Sequence, residues 1–214
     1  MKISELSSRT GVSIPTLKFY LREGLLPQGQ LSSPNQADYS ERHVRRAALI
    51  RALRDVAGLS IAKIKTIVDA LDHGEELYEV IGRTVDSLGG ATIEEFTPAQ
   101  REAAADIDRF LASLGLPVRE DSLARQQIIA AFATVREMLF PGVPAEFLMP
   151  YAEAAAQVTA MERAATPGLF DLEPELAIEK AILGLALFEP ILVGFRRLSH
   201  EQRVHDLLGP PSPE

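Results

Sequence analysis

The stretch ELSSRTGVSIPTLKFYLREGLLP, Glu5 to Pro27, carries two short helical patterns on either side of Gly11, Val12 and Ser13. Ile3 and Leu6 give the first helix an inward side, and Gly11 stands where a helix closes in the left-handed conformation. Ser13 reads as the N-cap of the next helix, with Pro15 in its first turn, where the missing N–H has no intrahelical partner. Ile14, Leu17 and Leu21 recur at the spacing of a buried stripe, and Gly24 stops the pattern. Thr16, Lys18, Tyr20 and Arg22 lie off that stripe and are expected to face outward. A tight helix-turn-helix pushes its second helix out from its support, the geometry that inserts a helix into the DNA major groove.

Outward from this stretch the pattern continues. Residues 28–38, QGQLSSPNQAD, read as a loop or two-stranded wing. Ser40 can cap a helix from Glu41 to about Val56, with Val44, Ala48, Leu49 and Leu53 inside and Arg42, Arg45, Arg46, Arg51 and Arg54 on the remainder. Gly58 breaks the chain, and Ser60 caps a fourth helix that buries Ile61, Ile64, Ile67, Val68 and Leu71. Ser13, Thr16, Lys18, Tyr20, Arg22, Asn35, Gln36, Tyr39, Arg42, Arg45 and Arg46 form the candidate DNA-facing set, because hydroxyls, amides, phenols and cations suit phosphates and base edges.

The order helix, GVS, TLKFY, EGLLP, wing, YS, basic helix and GLSIAKIK resembles the N-terminal domain of the MerR family of transcriptional regulators over residues 1–71. That resemblance implies a winged helix-turn-helix bound to double-stranded DNA at a palindromic promoter operator, a homodimer, and an indirect action on RNA polymerase through distorted DNA. Lys18 stands where the family has arginine, Leu21 where an acid is frequent, and Ala37 where the wing arginine is expected. The first departure keeps a cation without its planar fork, and the last removes a phosphate anchor.

Net charge supports a division of labour. Residues 1–71 hold 11 Lys and Arg against 6 Asp and Glu, while the rest hold 11 against 24, so a basic head is joined to a strongly acidic body. Phosphate contact needs local positive charge, not a positive total. Residues 72–95 read as a connecting helix and linker: Leu77, Val80, Ile81, Val85 and Leu88 form a stripe that can pair with a twin or pack on its own C-terminal domain.

Residues 96–214 read as an all-helical dimerisation domain with room for a small apolar effector, which makes the whole chain mainly all-α. Helices are expected from Thr97–Pro98 to Leu114, from Asp121 or Ser122 to Phe140, and across Phe147 to Met161 with a bend at Pro150. Ala177 to Phe195 is apolar on nearly every side, which requires burial within a bundle or between subunits. Its run FEPILVGFRRLSHE is similar to closing helices of tetracycline-repressor-type regulators, and the final PPSPE is expected to be disordered.

Several chemistries find no motif. With no cysteine, thiolate sensing is excluded. His200 and His205 are five residues apart, about 140° around a helix, which does not suit one metal ion. No phosphate-cradling glycine loop or nucleophile setting is present, so no enzyme, cofactor or metal site is expected. No run reaches the roughly 18 apolar residues of a membrane span, and MKISELSSRT lacks the apolar centre of a signal peptide, so the cytoplasm is the expected location. The aromatic and methionine residues Phe132, Phe147, Met149, Tyr151, Met161, Phe170, Phe188 and Phe195 read first as core. Two other functions fit these residues: an architectural or excisionase-like DNA binder without effector, and a helical protein-interaction module that has lost DNA binding, the latter favoured by Ala37 and the acidic body.

Overall fold

Gly11 sets the geometry of the head. In the computed structural model, which describes residues 1–33, 36–89, 92–116 and 118–208, helix α1 (Ile3–Thr10) ends at Gly11 with φ 68°. Its N–H returns to the Ser7 carbonyl. A Cβ at Gly11 would stand 2.7 Å from Nη1 of Arg51, which donates to the Thr10 carbonyl at 2.7 Å. Arg51 therefore ties the α1 terminus to the basic helix. We expect Gly11→Ala to destabilise the head by about 2 kcal/mol, because left-handed strain adds to the loss of that bond. Gly58 has the same φ of 69° and nothing within 4 Å, so Gly58→Ala should cost only the strain. Equal urea midpoints for the two variants would contradict this role for Arg51.

Helix α2 (Ile14–Arg22) begins at Ser13, whose Oγ accepts from the Thr16 N–H at 3.2 Å, and Pro15 fits its first turn as expected. The strands β1 (Gln30–Ser33) and β2 (Gln36–Asp38) pair antiparallel, with Leu31 opposite Ala37. Helices α3 (Glu41–Asp55) and α4 (Ile61–Asp72) complete the four-helix core, in which Leu6, Leu17, Leu25, Leu49, Ile50, Ile64 and Ile67 are fully buried. Burial of this kind contributes roughly 1.5–3 kcal/mol for each large apolar side chain.

The inner face of α3 differs from its expected register. His43, Arg46, Ala47, Leu49, Ile50 and Leu53 are buried, whereas Val44 and Ala48 are half-buried. The cause is a buried ion cluster: Arg46 donates to both Asp72 oxygens at 2.9 and 3.2 Å, and Glu179 accepts from Nε of Arg45 at 3.0 Å. Arg46 is 0% exposed and Glu179 2%.

His43 closes the N-terminus of α3, with its Nδ1 accepting the Ser40 N–H at 3.0 Å. Burial pushes the imidazole pKa below 6.5, and the nearby Arg42 charge works in the same direction. The unfolded chain thus protonates at a higher pH than the folded one. Stability from this group is complete above about pH 6.5 and is lost as pH falls below that value through the lower folded pKa. His43→Gln keeps an acceptor at the same capping position and should flatten the acid limb of a pH-dependent urea titration. An unchanged acid limb would refute this.

The described chain divides into two compact units: Met1–Glu76 with the described part of Ile178–Glu214, and Leu77–Ala177. In the second lie helices α5 (Leu77–Leu88), α6 (Pro98–Ser113), α7 (Leu123–Met138) and α8 (Met149–Ala165); Ile107 and Phe110 of α6 and Ile129 and Phe132 of α7 form a core, with Met149 and Ala152 of α8 packed against it. Thr97 and Gln100 form a reciprocal capping box at the start of α6. Helix α5 contacts α7 of its own chain, with Val80, Thr84 and Ser87 buried and Leu77, Ile81, Val85 and Leu88 of the expected stripe half-buried, and Asp86 ties the two by accepting the Leu123 N–H at 3.2 Å and Arg119 at 2.7 Å. Pro150 does not bend a helix, because a 3₁₀ turn at Ala145–Leu148 precedes α8 and places Pro150 in its first turn.

Helix α9 (Pro174–Leu208) runs through Pro190, with Ala177, Glu179, Ile182 and Ala186 buried. Its second half does not lie in a bundle centre: Phe188, Ile191, Leu192, Phe195 and Leu198 are exposed. Of the residues read as core, Phe132 is buried and Met149 half-buried against it, but Phe147, Tyr151 and Met161 are also exposed. The side chain of Phe170 and the PPSPE terminus lie outside the described residues. Among the described residues, no helix is long and apolar enough to cross a membrane.

Candidate nucleic-acid interface

The outer face of α2 carries Lys18 and Arg22, one helical turn apart and both exposed. Thr16 and Phe19 are half-buried at its margins. The Arg22 guanidinium lies over the Phe19 ring at 5.6 Å and near Glu23 at 3.7 Å. At the helix start the Ser13 and Thr16 hydroxyls hydrogen-bond to each other at 2.8 Å, while Ser13 also caps the helix. Backbone amides at this end add positive potential to the face.

Tyr20 leaves the expected DNA-facing set, because it is 1% exposed. Leu17 is the buried anchor of α2, and the residue three positions on turns inward beneath it, while Leu21 is only half-buried. The Tyr20 carbonyl also receives the N–H groups of Leu25 and Leu26, which holds the chain leaving the helix. Phe19, absent from the expected set, takes a place on the outer margin.

The wing is tied to the first two residues of the head. Lys2 bonds the Ser32 hydroxyl at 2.9 Å and Asp38 at 3.1 Å, and the Met1 carbonyl accepts the Tyr39 N–H at 2.8 Å. Gln36 is exposed, whereas Tyr39 is half-buried and packs edge-on against His43. Burial raises the Tyr39 phenol pKa. Asn35 lies outside the described residues. Leu31, at 77% exposure, is an exposed apolar side chain on β1 that the expected DNA-facing set did not include.

On α3 the three expected anchors have separate fates. Arg42 is exposed and pairs with Asp72 at 3.3 Å. Arg45 is partly exposed and engaged by Glu179. Arg46 is withdrawn from the DNA-facing set, since its guanidinium is enclosed and held by Asp72 and Glu179. Arg9 forms a bidentate pair with Glu41, which fixes α1 to the start of α3.

An outward second helix after a left-handed glycine turn, flanked by a short antiparallel wing, defines a winged helix-turn-helix head. Residues 1–71 match the family model described as MerR HTH family regulatory protein. Over 86 residues the chain is 29% identical to the HTH-type transcriptional regulator ZntR homolog of Haemophilus influenzae, a stretch covering 40% of this chain. It spans about 63% of the length of that curated relative. Across 100% of both chains it is similar, with a TM-score of 0.75 and 27% identity, to the crystal structure of SCO5550 from Streptomyces coelicolor A3(2), described as a transcriptional regulator. The likeness of the closing helices to tetracycline-repressor-type regulators finds no support in these comparisons.

Proposed function

We propose that this chain is a dimeric transcription regulator that binds a palindromic promoter operator, acts indirectly on RNA polymerase through the DNA, and works in the cytoplasm. The observation that carries this reading is the outward face of α2, with Lys18 and Arg22 exposed beside the wing in a MerR-type domain. Gln36 and Leu31 are exposed on the wing, and Arg42 is an exposed cation on α3. Selection of DNA fragments from a randomised duplex pool tests it. Enrichment of an inverted repeat is the expected result, and a pool without any enriched sequence would favour a protein-interaction module.

A small apolar effector fits the second unit. A groove of about 290 Å³ is lined there by Ile81, Val85, Leu111, Leu116 and Ile128, with Arg119 at its rim. Apolar walls with a few polar groups are what such ligands require. Ile81→Trp and Val85→Trp should fill the groove and abolish effector-dependent change in operator output while leaving DNA affinity in place. Output that never responds to a small molecule would favour an architectural binder instead.

A further inference from the structure

The second half of α9 carries an apolar seam that the described chain leaves open. Phe188, Ile191, Phe195 and Leu198 are 36%, 51%, 67% and 57% exposed, and they alternate at spacings of three and four residues, which are the a and d positions of a heptad. Leu192, beside them at position e, is 42% exposed. Pro190 falls at an outer position, away from the seam.

We infer that this seam pairs antiparallel with the same segment of a second copy, about a two-fold axis at Val193. The inference rests on the dimer reading above and assigns its interface to α9. Two features select the second copy and its direction. In the antiparallel register Phe188 meets Leu198 and Ile191 meets Phe195, because each pair is symmetric about Val193. Every layer then holds one ring and one aliphatic side chain, and the layers are of even volume.

A parallel pair would instead stack ring on ring and aliphatic on aliphatic, giving alternately crowded and underfilled layers. Charge points the same way. Parallel pairing sets each g residue against the e residue five positions on, which places Glu201 opposite Asp206 on both sides. The antiparallel arrangement separates these acids. It also brings Gly194 near its twin at the axis, where the absence of a side chain lets the helices approach, and a Cβ there would meet nothing within 4 Å in the single chain. The a and d positions on either side of the four layers hold Gly184 and Gln202, which face one another in this register and close the seam with a small and a polar residue. With α5 already in contact with α7, the exposed apolar face on the second half of α9 is the surface offered for a two-fold contact.

The test uses the full chain and its lack of cysteine. Sedimentation is expected to find the unaltered protein dimeric and the Ile191→Glu, Phe195→Glu variant monomeric with unchanged circular dichroism, since both side chains are exposed in the single chain. Oxidation of the Phe188→Cys, Leu198→Cys variant should give a covalent dimer, and each single variant should cross-link far more slowly. If the unaltered chain is dimeric and the glutamate variant remains so, α9 is not the interface while the dimer reading stands. If the unaltered chain is monomeric, the dimer reading itself fails. Rapid cross-linking of each single variant would overturn the antiparallel direction.

Discussion

Replacing Arg46 by Ala should destabilise the head by about 3–5 kcal/mol, because it leaves two acids facing a site built around a cation. Arg46 is fully enclosed, and it bridges Asp72 at the end of α4 to Glu179 on α9. Loss of the guanidinium removes one of the cations that offset the desolvation of Glu179, while the partly exposed Arg45 stays beside it. Asp72, at the unfavourable negative end of a helix, keeps its pair with Arg42. The test is a urea midpoint for the full chain. Arg45→Ala should cost much less, since its guanidinium reaches water. The paired change Arg46→Met, Glu179→Leu should recover most of the loss, as apolar replacements of a buried ion pair commonly do. A single variant of unchanged midpoint would show that α9 is not held to the head by this cluster.

Lys18→Ala together with Arg22→Ala should weaken DNA binding by about one to three orders of magnitude, with almost no change in folding, because both side chains reach solvent. Each lost phosphate cation also lowers the slope of log affinity against log salt by about 0.9. Fluorescence anisotropy on the selected duplex at several salt concentrations separates the two roles. A fall in affinity without a change in slope would mark the pair as base readers, whereas a fall in both marks phosphate anchors. Unchanged affinity would remove α2 from the interface.

Much of the local structure was legible before its geometry was known. Ser13 with Pro15, Ser60 and Thr97 with Pro98 announce helix starts that the structure reproduces, and Gly11 announces the turn. These signals are local, since a cap is read within three residues of itself. The errors arose where charge was buried by distant partners. Arg46 sits in an apolar interval of α3, and hydropathy sends such a residue outward. Only Asp72 and Glu179, 26 and 133 positions away, reverse that choice.

Tyr20 was misplaced for a smaller reason. Leu17 is followed by inward candidates at both three and four positions on, and an apolar leucine outranks a phenol by hydropathy although the packing takes the ring. The all-round apolar character of 177–195 was legible as a demand for cover, but not which side each residue would satisfy. One carboxylate in that helix, Glu179, marks the side turned to the arginines of α3, and its meaning depends on a fold the local pattern does not contain.

The central claim is that α2 is the helix that enters the DNA, and its most direct measurement places a cutting reagent on that helix. Because the chain has no cysteine, Lys18→Cys offers one attachment point for an iron chelate that cleaves nearby DNA. Bound to the selected duplex, the labelled protein should cut within both halves of the inverted repeat, at positions facing the major groove. The same label at Arg109, on α6 of the second unit, should leave the DNA intact. Cleavage from Arg109 with none from Lys18 would contradict the account.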